Sequence, residues 1–546
     1  MSTEFFTFVH IVNTFIKATL MRLSLKNALT IALVICIPFV VTAQSIVNKQ
    51  VSSTNKETSG SQKSNQNKVP PVVHGSKNDI SAGVKGIMSI RNIGKRQQFS
   101  AAQRESFDTD IYSPKSASFS NDGTLFINSL EGCRTVAYSV PSLEKQFVVE
   151  YKFSSGQGEM WASPSGFYKF THYPNGERRS FSGKPVEMAW SHNYKYLWVP
   201  FYRRTFDINA QDPSAIAVID VASQKIIRMF ETGPLPKAVA VSHDNRYIAV
   251  THWGNNTVGI IDIASNNSKD WHHLSPVVVG KQLVLNYPLN SSVDRDRGSG
   301  YLLRGTLFTP DNRYLLVSGL AGPLSVIDVE KRSLVGFVHE LYGIRHLALS
   351  NGRVYGSRNS AGEVLSFSLD DLLRGVEKFL SKETQKLTVD GTVRRVKVGG
   401  GARTLEVSPD GKYVFVACNS ASALYVVDAE TMKVVDKIRC DSYPVGLSIS
   451  PDGRYVAVTS QGRKGFGGNA VNLFEITRYD VKQVAPTPVN KEVATDSVQA
   501  QSSQNNDETG SVTQASMTFY TLLALALFVV VVLIVVCVLL VRRRRK

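Results

Sequence analysis

Apolar and polar residues alternate in short runs along the middle of the chain. In YIAVTHWGNNTVGIID, residues 247–262, one run covers 247–251 and a second covers 258–262. Gly254, Asn255 and Asn256 lie between them and suit a tight connection, so the segment predicts two paired strands. A hairpin alone is marginal in water, so it must be repeated or covered.

The same pattern recurs seven times, each copy marked by a Ser or Thr just ahead of a turn. The anchors are Ser120, Ser191, Ser242, Thr309, Ser350, Ser408 and Ser450, in stretches such as AVSHDNRYIAV, EVSPDGKYVFV and SISPDGRYVAV. Asp-Gly or Asp-Asn follows most anchors and tolerates the backbone of a hairpin turn. A third apolar run follows in every copy, and a fourth in several, as in QKIIRMFETG and MKVVDKIRC. Four strands per copy make a propeller blade, and blades bury their faces only against one another.

The expected fold is therefore all-β, a seven-bladed β-propeller over residues 85–483. Anchors are 41 to 71 residues apart, and the surplus over an ordinary blade sits in insertions at 154–184, 200–213, 264–303 and 370–391. The fifth copy, LSNGRVYGS, is shortened. The seventh lacks an evident outer strand, which either VKGIMSI (84–90) or TRYDVKQV (477–484) could supply. In the first case strands from both ends of the domain would latch the ring.

YIAVTHWGNNTVGIID, YVFVACNSASALYVVDAETMKVV and PSAIAVIDVASQKII resemble the YVTN-type β-propeller repeat family, which includes lactonase-like and surface-layer-type seven-bladed propellers. The resemblance covers most of residues 110–476, although no copy carries all four signature letters. It implies the fold. Propellers of this kind, and the lactonase-like and haem-enzyme propellers related to them, share a scaffold and not one activity.

The two ends read differently. Arg22 and Lys26, an apolar run over 28–41 and the small-residue pattern Val41-Thr42-Ala43 predict a signal peptide over 1–43, with Met21 a second candidate start. Residues 44–84 and 484–516 are rich in Ser, Asn, Gln and Thr and read as a disordered linker and stalk. Residues 517–541 carry no charge and are long enough for a transmembrane helix. The basic tail 542–546 then predicts a cytoplasmic C-terminus, with the propeller on the extracytoplasmic side of the cell envelope, periplasmic or at the cell surface.

The formal net charge is +17. Without the leader and tail about +10 remains, which permits polyanion binding. Nucleic acid stays open as a partner but has no motif behind it. Of five cysteines, Cys133, Cys418 and Cys440 fall in the exported part, as buried thiols or with Cys418 and Cys440 paired. No nucleophile elbow, P-loop or HExxH occurs, so no cofactor or metal is expected.

Candidate chemistry gathers at the axis. The first strand of each blade lines the central channel, and five residues before the anchors stand Lys115, Val186, Lys237, Arg304, Arg345, Arg403 and Val445. Five of these seven are cationic, and in this register they converge at one channel mouth as a site for an anion. The other reading is that long polar side chains merely reach channel water there. Glu187 and His346 are neighbouring candidates. His252, Trp253, Trp271, His272 and His273 are candidates for a binding rim on the insertion loops. The expected function is a membrane-anchored binding module for an anionic glycan, a metabolite or a protein. A lactonase-like enzyme acting on an anionic sugar derivative, or a structural or adhesive envelope protein, are the alternatives.

Overall fold

The computed structural model describes residues 79–478, apart from 82, 84–87, 99–105, 174, 286, 289–290, 292–297, 299 and 463–467. The leader, most of the linker, the stalk, the 517–541 segment and the tail lie outside the described residues. Among the described residues no helix is long and apolar enough to cross a membrane.

Seven antiparallel sheets follow one another along the chain. Their inner strands are Pro114–Phe119, Ala189–Ser191, Pro236–Val241, Leu303–Phe308, His346–Ser350, Ala402–Val407 and Pro444–Ile449. Each packs beside the inner strand of a neighbouring blade, and blade seven returns to blade one. The chain is thus a seven-bladed propeller.

The alternation in the opening stretch has a direct physical reading. Tyr247 and Ala249 belong to the core between blades three and four, whereas Ile248 and Val250 belong to the core between blades two and three. A strand that is apolar on both sides is what a blade between two blades requires. Seven such cores fill the seven interfaces.

The anchor hydroxyls close the turns. Ser408 Oγ donates to Asp410 Oδ1 at 2.6 Å and accepts from the Tyr413 amide at 3.0 Å. Ser242, Thr309 and Ser450 make the same pair of bonds with Asp244 and Tyr247, Asp311 and Tyr314, and Asp452 and Tyr455. This local closure is why the Ser/Thr-x-Asp spacing marks these blades. The shortened fifth copy still completes its sheet.

The outer strand of blade seven comes from the amino-terminal side. Met88–Gln97 pairs antiparallel with Ala470–Arg478, from Met88 opposite Arg478 to Gln97 opposite Ala470. Met88 and Ile90 join the core between blades six and seven. Lys95 on this strand faces Asp441, with charged atoms 2.6 Å apart and both side chains buried. The angles fall outside hydrogen-bond geometry, so Coulomb attraction joins them.

Two insertions are structured. Residues 370–391 contain most of a helix, Leu369–Leu380, capped by Ser368 and packed through Leu372 and Val376 onto the core of blades four and five. In blade two, Phe181–Pro185 and Lys152–Phe153 extend the sheet beyond the inner strand. Arg204 fastens this extension. It is buried against Phe181, Phe170 and Trp161, with its centre 4.5, 4.8 and 5.5 Å from the three rings. The three cysteines are free, buried thiols, so Cys418 and Cys440 are not paired. Burial pushes the Cys418 thiol up to about 12.

Candidate functional site

A β-bulge at the start of an inner strand sets the direction of four of the five cations. The pairing register shifts between Pro114 and Ser116, Pro236 and Val239, Leu303 and Thr306, and Ala402 and Leu405. Lys115, Lys237, Arg304 and Arg403 sit at these shifts, where a bulge re-aims a side chain. Arg345 directly precedes its strand and is held by its amide, which donates to the Ser357 carbonyl at 2.7 Å. In blade two the inner strand is interrupted between Pro185 and Ala189, and Glu187 lies in the gap.

Hydroxyl and amide groups of neighbouring blades hold these backbones in register. Thr459 Oγ1 donates to the Lys115 carbonyl at 3.3 Å, Asn128 Nδ2 to that of Glu187 at 3.1 Å and Thr251 Oγ1 to that of Arg304 at 2.9 Å. Ser357 Oγ donates to the Arg403 carbonyl, and Thr404 Oγ1 to that of Val445 at 2.8 Å. Thr251 and Thr459 occupy equivalent places near the ends of Tyr247–His252 and Tyr455–Ser460, and each pins the next blade at the axis.

Arg304, Arg345 and Arg403 line a cavity of about 80 Å³ together with Glu187, Thr306 and His346 among others, and Lys115 and Lys237 feel the charge of the same three arginines. Lys115 and Lys237 are each 5% exposed, and Arg345 and Arg403 are each 8% exposed. These side chains therefore do not simply extend into bulk water. Burial, then repulsion from Arg403, Arg304 and Arg345, holds the Lys115 ammonium well below the ordinary lysine range, and Glu187 offsets this only in part. Lys237 is depressed by burial and the same three guanidinium groups. Burial likewise lowers Arg345 and Arg403.

Aromatic rings back the cations. Lys237 Nζ lies 3.8 Å from the Tyr202 ring centre and 5.0 Å from that of Trp253. The Arg304 guanidinium is 5.1 Å from Trp253, and that of Arg403 is 5.9 Å from Tyr443. Such contacts offset part of the cost of desolvating a charge. Tyr202 and Tyr443 escape a reading of the sequence because they lie outside the repeat register, Tyr202 where the strand Tyr196–Arg204 runs on into the 200–213 insertion and Tyr443 just before Pro444–Ile449.

Trp253 therefore belongs to the channel mouth and not to a separate rim. His252 is no rim residue either. It is fully buried, its Nε2 accepts from the Gly233 amide at 3.1 Å, and its Nδ1 lies 2.8 Å from Thr257 Oγ1. Burial pushes it down to about 3, so it is a neutral structural group. Trp271 is 2% exposed in the core between blades two and three, with its indole N–H donated to the Ser265 carbonyl at 2.7 Å. His272 and His273 stand on the outer strand of blade three, His272 exposed and His273 packed on Phe230 and Tyr168. They share no site because adjacent strand residues face opposite ways. Among the described residues, no group of His, Cys, Asp and Glu is placed to hold a metal ion.

One acid deeper on the same inner strand is unusual. Glu406 accepts from the Ile449 amide at 2.8 Å, yet burial pushes its carboxyl up to about 8. A group with a raised folded value stabilises the protein fully below its unfolded value and loses that contribution as pH rises through the folded one. Between about pH 4.5 and 8 this residue should lower stability by up to about 1.4 kcal/mol per pH unit. Subtracting the unfolding profile of Glu406→Gln from that of the parent should reveal that fall; parallel profiles would refute it.

Fold and site together define a seven-bladed β-propeller with a buried cationic cluster at one channel mouth. Residues 382–504 match the family described as the Cytochrome D1 heme domain. No curated protein matches the chain. Among solved structures, Kuenenia stuttgartiensis hydrazine synthase is similar at 14% identity over 70% of this chain and 100% of that one, with a TM-score of 0.46. The β-propeller domain of Myceliophteria thermophila Cps50 (Swd1) is similar at 12% identity over 67% and 97%, with a TM-score of 0.45.

Proposed function

We propose that the protein is a binding module that captures a small anion at the channel mouth, on a YVTN-type propeller exported from the cell and anchored to a membrane by residues 517–541. The observation that carries this reading is the convergence of Lys115, Lys237, Arg304, Arg345 and Arg403 at one buried mouth. Like charges gathered away from water repel one another and forgo hydration, and an anion relieves both costs. The leader, stalk and basic tail support the anchored arrangement.

The matched family's name carries a heme. A cavity of about 80 Å³ is far below the roughly 300–1,000 Å³ usual for small-molecule sites. It does not fit a macrocycle, and the residues around it suit a compact anion instead.

Thermal unfolding of the full-length protein in mild detergent tests the reading, with small anions added at constant ionic strength. An anion at 100 times its Kd should stabilise the parent by about 2.7 kcal/mol. The Arg345→Gln/Arg403→Gln variant should show little of that gain. Absence of a shift with every anion, or an equal shift in both proteins, would refute anion capture at this mouth.

A further inference from the structure

Resting on that reading of the mouth as an anion site, we infer that its ligand is a free tetrahedral oxyanion carrying two charges, such as phosphate or sulfate, enclosed whole within the cavity. Size comes first. The cavity exceeds the ~10–15 Å³ that one water needs but falls short of a sugar acid or nucleotide. An anionic sugar derivative would have to leave most of its body outside.

Direction is the second argument. Three guanidinium groups, Arg304, Arg345 and Arg403, line the cavity from blades four, five and six, with Thr306 and His346 beside them, while Lys115 and Lys237 add their charge from blades one and three. A planar carboxylate presents two oxygens to one side and suits a single guanidinium fork. A tetrahedral oxyanion presents four oxygens, enough to meet three separate guanidinium groups and the Thr306 hydroxyl together.

Charge is the third. Among the described residues lining the cavity the formal charges are those of Arg304, Arg345 and Arg403 against Glu187, a balance that a dianion matches better than a monoanion. Two neutral polar groups of the lining stand beside these charges. Thr306 Oγ1 and His346 Nδ1 are buried without a hydrogen-bond partner among the described residues. A hydroxyl left this way costs free energy until an acceptor reaches it, and an oxyanion oxygen is an acceptor. The rings of Tyr202, Trp253 and Tyr443 attend to other sides of Lys237, Arg304 and Arg403, so a ligand need not solvate those sides.

Isothermal titration of the full-length protein at constant ionic strength distinguishes the outcomes, with inorganic phosphate, sulfate, nitrate, acetate, malonate and glucose 6-phosphate as probes. Phosphate and sulfate are expected to bind one per chain and at least tenfold more tightly than the other four. Thr306→Val should weaken phosphate about tenfold while leaving the unfolding temperature nearly unchanged. Nitrate, acetate or malonate binding as tightly as phosphate would overturn the inference and leave anion capture standing. Equal or tighter binding of glucose 6-phosphate would show a site open to a phosphoryl group on a larger molecule, and would overturn enclosure. Silence from all six probes would remove the inference together with the reading beneath it.

Discussion

Asp441→Asn is expected to destabilise the propeller by about 3–5 kcal/mol, because it leaves the Lys95 ammonium buried without its counter-charge. Both side chains are nearly inaccessible to bulk solvent, at 6% and 2% exposed. Lys95 lies on the strand that closes the ring, so its release loosens Met88–Gln97 from Ala470–Arg478. The uncovered strand edge then becomes a template for aggregation. Urea unfolding should show the loss, and light scattering on mild heating should rise. Lys95→Met combined with Asp441→Asn should recover much of the stability, since the cost is that of an unpaired charge and not of a missing bridge. A double variant as unstable as Asp441→Asn would contradict this account.

Arg345→Gln with Arg403→Gln should act in the opposite direction. In the absence of ligand this pair is expected to raise stability by about 1–3 kcal/mol at low salt, because two buried like charges are replaced by neutral groups of similar reach. The pH dependence gives a second readout. Lys115 and Lys237 have folded values well below the unfolded ones, so parent stability should rise with pH between those limits, as the unfolded chain binds more protons there. The variant should show a shallower rise, since burial alone remains to depress the two lysines alongside Arg304. Chemical denaturation at several pH values decides it, and a ligand-free variant less stable than the parent would mean that packing of the two arginine stems outweighs their repulsion.

These two predictions draw on features of different legibility. The cations were readable because each occupies a constant offset from an anchor hydroxyl, and that offset spans only the turn end of one strand. Ser408 and Asp410 fix their turn through bonds two to five residues long, so the register from Arg403 to the turn is a local property. The Lys95–Asp441 pair was not readable at all. The two residues are far apart in the chain, and only ring closure brings them together.

The rim candidates fail for a related reason. His252 and Trp271 look like loop residues in sequence, next to a Gly-Asn-Asn turn and inside a long insertion. Burial comes from elements contributed by neighbours, such as Gly233 beside His252 and Trp198 beside Trp271, and a local pattern holds no record of them. Two strand threonines show the reverse. Thr251 and Thr459 were visible as repeat letters, but their bonds to Arg304 and Lys115 cross from one blade to the next.

By itself, then, the amino-acid sequence determined seven blades, their turn chemistry, the two-sided apolar strands and the register that carries five cations to the axis. Each follows from backbone geometry repeated over a few residues. Only the tertiary structure decided that Met88–Gln97 closes the ring, that Glu187 lies in a broken strand among the cations, and that Tyr202, Trp253 and Tyr443 stand behind them. Those arrangements depend on contacts between distant segments, and burial is a property of the assembled ring that no single blade possesses.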